Sequence, residues 1–132
     1  MSTADESVDW RKLREFADVE LTKSYVLSWH VEGDSLVIDV DLILTPEHPF
    51  FEKPRPSEKM CIRPAVIEFP YCESIRIGGT AVEEPLNDAV ARLELGAIKG
   101  LKRMHEGPFE ISGEFGTVRI DSERPILRLR AP

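Results

Sequence analysis

The clearest signal along this chain is alternation. From Leu21 to Leu44 the sequence reads LTKSYVLSWHVEGDSLVIDVDLIL, with apolar residues at every second position on both sides of Gly33-Asp34. Period-two alternation marks a strand with one buried face. A two-residue loop with glycine first fits a type II′ hairpin turn. Pairing about that loop sets Val31 opposite Leu36, Trp29 opposite Ile38, Leu27 opposite Val40 and Tyr25 opposite Leu42. All of these share one face, and a one-residue slip would scatter them. The other face collects Ser28, His30, Asp39 and Asp41, with Val26 and Val37.

The C-terminal stretch FEISGEFGTVRIDSERPILRLR alternates in the same way, in three runs. A turn at Gly116-Thr117 would pair Phe115 with Val118 and Gly113 with Ile120, and would set Glu114 opposite Arg119 outside. A loop from Ser122 to Pro125 would then pair Ile120 with Leu127 and Val118 with Leu129. The prediction is a three-stranded meander.

Between these regions lies CIRPAVIEFPYC, residues 61–72. Cys61, Ala65, Ile67 and Phe69 fall on one face, with Arg63 out of pattern. Ile62, Pro64, Val66 and Glu68 fall on the other. A strand apolar on both sides is covered on both sides. Pro64 cannot donate to a ladder, which predicts an edge or a bulge. Ile75 and Ile77 predict a short strand ending at Gly78-Gly79, and residues 80–88 read as loop.

Two segments break the alternation. SVDWRKLREFA, residues 7–17, spaces Trp10, Leu13, Phe16 and Ala17 as a helix does, with Ser7 placed to cap and Asp9 in the first turn. TPEHPFFEKPRPS, residues 45–57, holds four prolines and reads as a long, stiff loop. Phe50 and Phe51 sit in its middle. AVARLELGAIKGLKRM, residues 89–104, fits helix and strand alike. Gly96 and Gly100 would each cost a helix ~1 kcal/mol, so it is read as two short strands meeting near Gly96.

These elements predict a mainly β fold: an antiparallel sheet curved into a sandwich or partial barrel, with one short N-terminal helix against it. At 132 residues the expectation is a single domain. No apolar run approaches the ~20 residues a membrane helix needs. The polar start MSTADESVDW has no apolar secretory segment, which predicts a cytoplasmic protein. In size and charge the chain is similar to many bacterial accessory and immunity-type proteins, a likeness that assigns no residue a role.

Charge narrows the partners. A net charge of −7 repels nucleic acid phosphate and anionic lipid. It suits solubility or a basic protein partner. The two cysteines read as buried apolar residues in a reducing compartment. If residues 61–72 run extended, they lie ~35 Å apart, far beyond the ~7 Å of a disulfide. No metal site and no cofactor is predicted: the sequence has neither a CxxC pair nor GxGxxG, P-loop or GxSxG patterns.

Three constellations hold the remaining chemistry. His30 lies diagonal to Asp39, near Asp41, and a histidine beside carboxylates can act as a general base or as part of a metal site; a polar outer sheet face explains the same residues. In the proline-rich loop, Glu47, His48 and Glu52 lack the spacing of a ligand motif, and His48 with Phe50 and Phe51 is read as a partner-binding patch. Glu68 on a two-sided apolar strand could be buried with a raised pKa, paired with an arginine such as Arg63, Arg76 or Arg92, or exposed to solvent. Arg124, Arg128 and Arg130 form a basic spot that reads as a solvated strand face, partly offset by Glu123. The leading functional expectation is a non-enzymatic interaction protein, binding through its acidic surface or the Phe50–Phe51 loop. Next come a small-ligand barrel lined by Tyr25, Trp29 and Phe69, and an enzyme using His30, Asp39, Asp41 or Glu68.

Overall fold

Why the chain builds one curved sheet is visible in its longest hairpin. The computed structural model describes residues 7–130 apart from 55, 58 and 106, so the polar leader 1–6 lies outside it. In chain order the elements are β1 (Val8–Asp9), β2 (Val19–Glu32), β3 (Ser35–Leu44), β4 (Cys61–Phe69), β5 (Ser74–Ile77), β6 (Thr80–Ala81), α1 (Leu86–Val90), β7 (Gly96–Arg103), β8 (Phe109–Gly113), β9 (Gly116–Asp121) and β10 (Ile126–Leu129). The β2–β3 hairpin turns at Gly33-Asp34, with Gly33 at φ +59°. Near the turn the register is the predicted one: Val31 faces Leu36 and Trp29 faces Ile38.

Farther from the turn the register changes. The partners become Val26↔Val40 and Tyr25↔Asp41, and Leu27 is left over in a β-bulge. The extra residue flips the pattern. Val26 is therefore fully buried, while Tyr25 and Leu27, expected inside, are 45% and 42% exposed. A second irregularity separates Glu20 from Tyr25. Ser24, a fully buried polar residue, mends it: its hydroxyl accepts from Ile43 N at 3.1 Å and donates to Glu20 O at 3.0 Å.

The sheet runs β10-β4-β3-β2-β7-β8-β9-β5-β6, with β1 added beside β7. All of its strand pairs are antiparallel. Among the described residues, the ladder that joins its two halves consists of Tyr25↔Ala97 and Val26↔Gly96. About this narrow junction the sheet folds over. Phe69 of β4 and Phe109 of β8 are four strands apart in the order, yet their ring centroids lie 5.8 Å apart. Between the halves sit Leu21, Leu36, Ile38, Leu42, Ile67, Ile98, Ile111 and Ile120, each fully buried. The mainly β, curved antiparallel fold is thus the expected one, left open at its ends.

Several details correct the sequence reading. Residues 10–16 form two 3-10 turns, Trp10–Lys12 and Arg14–Phe16, rather than an α-helix. Trp10, Leu13 and Phe16 are three residues apart, the 3-10 period, and all three are buried. Asp9, not Ser7, caps the first turn by accepting from Arg11 N. The first part of 89–104 belongs to the end of α1 (Leu86–Val90), for which Pro85 is the N-cap, so the only strand there is β7. The β8–β9 turn is Glu114-Phe115, which pairs Ile111 with Val118 and Phe109 with Ile120. Arg119 consequently faces Glu110, not Glu114. β10 does not continue the meander. It crosses to β4, pairing Leu127 with Ile67 and Leu129 with Ala65, while β5 takes the place beside β9.

Pro64 is thereby interior to the sheet, between β3 and β10. Its carbonyl accepts from Arg130 N at 2.9 Å, so its nitrogen also faces β10, just past that strand's last residue. The missing donor removes one rung at the ladder's end, which makes the position tolerable.

Candidate functional site

The crossing of β10 to β4 builds the candidate site. It brings Arg128 and Arg130 onto the outer face of β2, β3 and β4, where the register stacks Ser28, Asp39, Val66 and Arg128 in one row. The next row holds His30, Val37, Glu68 and Ile126.

Asp39 is the hub. The Ser28 hydroxyl donates to its Oδ2 at 2.5 Å, and His30 Nδ1 lies 3.5 Å from the same oxygen. Its Oδ1 is buried and sits 2.6 Å from Arg130 Nη2, close as an ion pair but without an aligned hydrogen bond. His30 Nε2 meets Glu32 at 2.6 Å. The two carboxylates address different ring nitrogens, so they do not converge with the imidazole on a common ion. Among the described residues no group of three His, Cys, Asp or Glu side chains is arranged to hold a metal. Asp41 faces the same side one row away, with no ion pair or side-chain hydrogen bond among the described residues.

Glu68 is paired, though with Arg128 rather than Arg63, Arg76 or Arg92. Arg128 Nη2 lies 2.5 Å from its Oε1, and the Ser35 hydroxyl donates to its Oε2 at 2.9 Å. The Ser35 hydrogen bond first, and Arg128 after it, hold the carboxyl below its ordinary range against the opposing effect of burial. That direction is opposite to the raised pKa a general acid would need.

The proline-rich loop is organised by short turns. His48 N donates to Thr45 O and Phe51 N donates to His48 O, each at 3.0 Å. His48 Nδ1 accepts from Phe50 N at 3.0 Å, and its ring lies against Phe50 at 5.8 Å. His48 thus holds the backbone that displays Phe50. Phe50 is 64% exposed, whereas Phe51 packs on the core edge. Glu52 joins the strands by an ion pair with Arg63 at 3.0 Å.

Below this loop lies a cleft of about 420 Å³ lined by Phe50, Phe51, Arg63, Leu129 and Arg130. Leu129 and Arg130 also border a second groove of about 460 Å³ that continues past Glu68 and Arg128 to Glu32. Loop and sheet face therefore form one continuous surface. Sequence reasoning found Phe50, Phe51, His48, His30, Asp39 and Glu68, read Arg130 only as part of a solvated strand face, and assigned neither Arg63 nor Leu129 to the site. The signal for Arg130 was the arginine spacing at the C-terminus, and its meaning depended on which strand β10 joins.

The residues expected to line a ligand barrel do not share one cavity. Phe69 is fully buried against Phe109, Trp29 packs on Phe115, and Tyr25 faces outward. Among the described residues no helix is long and apolar enough to cross a membrane. No family model, curated protein or solved structure compared with this chain matches it.

Proposed function

We propose that this protein is a non-enzymatic interaction module, which grips a protein partner in the cleft between the proline-rich loop and β10. One observation carries the reading: a large aromatic, Phe50, is held out in solvent beside an apolar cleft. Exposed aromatic side chains in such clefts are typical of binding anchors. Local turns and the His48 hydrogen bond fix the loop in advance, which lowers the ordering cost of association.

The partner contributes an apolar side chain to the cleft. Its surroundings are basic, matching the chain's net charge of −7 and the exposed Glu47 at the loop, while the cleft's own arginines are already paired, Arg63 with Glu52 and Arg130 with Asp39. A cytoplasmic setting goes with this reading, since Cys61 and Cys72 are both buried as free thiols.

The test is affinity capture from cells of the source organism at low salt, using the intact chain and Phe50→Ser side by side. Phe50 contributes little to packing, so the variant keeps its fold. A partner retained by the native chain and lost both by Phe50→Ser and in high salt is expected. A partner held equally by both chains overturns the proposal.

A further inference from the structure

A second surface, on the other half of the sheet, carries a charge pattern with one break in it. The register aligns Asp9, Lys102, Glu110, Arg119 and Arg76 in a single row across β1, β7, β8, β9 and β5. The first four alternate in sign. Lys102 Nζ reaches Glu110 at 3.7 Å and Arg119 Nη2 reaches it at 3.0 Å. At the last step the alternation fails, because Arg76 stands directly opposite Arg119.

Directly opposed residues have Cβ atoms ~4.5–5.5 Å apart, and like charges there are unfavourable. Glu110 shares its charge between Lys102 and Arg119, so it does not neutralise the arginine pair. Among the described residues Arg76 makes no ion pair or side-chain hydrogen bond. Asp121 is its diagonal neighbour across the β5–β9 ladder, farther away than a contact.

The two arginines open onto a common cleft of about 640 Å³, lined also by Ser74, His105, Pro108 and Asp121. The volume is on the scale of small-molecule sites. On a chain of net charge −7, the lining sets two guanidinium groups against the single carboxylate of Asp121.

We infer that this cleft binds a phosphate group, with Arg76 and Arg119 as its principal ligands. Each guanidinium presents a planar fork of donors that matches two phosphate oxygens at once. Bridging by a phosphate anion turns the repulsive pair into two favourable contacts. The Ser74 hydroxyl can donate to a third oxygen. Asp121 carries negative charge at the rim, so it disfavours a bare dianion on that side and accepts from a hydroxyl. That chemistry suits a protonated phosphate oxygen or the alcohol part of a phosphate ester. A long polyanion is a poorer fit, since the surrounding acidic surface repels it beyond this one focus.

The experiment is an amide NMR titration of the whole chain at constant ionic strength. One arm uses inorganic phosphate, a second glycerol 3-phosphate, and a third chloride. Saturable shifts centred on Ser74, Arg76, Arg119 and Asp121 are expected with phosphate or its ester, and the tighter arm identifies the source. Arg76→Glu and Arg76→Gln should each weaken binding about tenfold or more. Arg76→Glu also completes the alternation and should raise Tm. Lys102→Gln lies in the same row outside the cleft and should bind as the native chain does. Shifts that chloride reproduces, affinity unchanged in either Arg76 variant, or an equal loss in Lys102→Gln would each overturn the site.

Discussion

Trp29 and Phe115 meet edge to face, with ring centroids 5.1 Å apart and planes at 78°. Trp29 belongs to β2, and Phe115 sits in the turn between β8 and β9. The contact draws the turn against the seam where the two halves of the sheet join. Gly113 makes it possible: a Cβ there would lie 2.3 Å from Ala97 O and 2.6 Å from the Phe115 ring. Trp29 is fixed on its other side by its indole N–H, which donates to Glu94 O at 2.9 Å.

Phe115→Ala should therefore destabilise the protein by about 3–5 kcal/mol, as expected for a buried aromatic removed to alanine. Phe115→Leu keeps most of the volume and loses only the ring contact, at about 0.5–1.5 kcal/mol. Urea unfolding followed by far-ultraviolet circular dichroism measures both. Equal effects from the two variants would mean that volume, not ring geometry, holds the seam.

Ser24 is the second point where one side chain decides a register. Removing its hydroxyl leaves Ile43 N and Glu20 O without their partner inside the bulge. Ser24→Ala should cost about 1–3 kcal/mol, the penalty for unsatisfied buried polar groups. Hydrogen exchange at Ile43 should accelerate more than exchange at Ile38, whose part of the ladder stays regular. Uniform acceleration at the two positions would count against a local role.

These two residues also mark where the sequence stops being legible. Alternation identified the hairpin, the turn at Gly33-Asp34 and the buried faces of β4, β8 and β9, because each depends on neighbours along the chain. It assumed unbroken pairing, so it could not see that Leu27 would bulge and turn Tyr25 outward. The β8–β9 turn was placed two residues late because Gly116-Thr117 is a plausible turn pair locally. What moves the turn is Trp29, more than eighty residues away in sequence. The destination of β10 is likewise non-local: Leu127 and Leu129 fit the inner face beside β9 or beside β4 equally well. The candidate site was half visible for the same reason. His30, Asp39, Glu68 and the Phe50 loop could be named from pattern, but the arginines that complete the surface arrive only when β10 crosses over.

Glu68 gives the protein an acid-sensitive tie between β3, β4 and β10. Its folded-state pKa lies below the ordinary 4.5, through the Ser35 hydrogen bond and then Arg128. A depressed carboxyl pKa means that the folded state releases its proton more readily than the unfolded chain does. The stabilisation is present above pH 4.5 and is lost as pH falls through the lower folded value. Glu15, lowered by its hydrogen bond to Arg124, acts in the same direction. Glu68→Gln should be less stable than the native chain at pH 7, with the difference shrinking steadily below pH 4.5. A difference that is independent of pH between 3 and 7 would show that Glu68 contributes through packing alone.

Cys72 supplies a test at the alkaline end. Burial, followed by the nearby charge of Asp121, pushes its thiol up to about 11 from an ordinary 9.0. The thiol is 9% exposed and donates weakly to Ser74 O at 3.7 Å. Thiolate is the reactive form, so at pH 8 the native protein should react with a disulfide reagent far more slowly than the urea-unfolded chain. Cys61, at 2% exposure, is shielded as well. The raised value also sets a stability slope. Between about pH 9 and 11 the folded state keeps a proton that the unfolded chain has lost, so stability falls as pH rises. Cys72→Ala removes that slope at the cost of a small cavity, and its unfolding free energy should vary less across this interval than that of the native protein. Rapid labelling of native Cys72 at pH 8, or identical alkaline slopes for the two proteins, would place the thiol in a more exposed setting than the packing beside β5 provides.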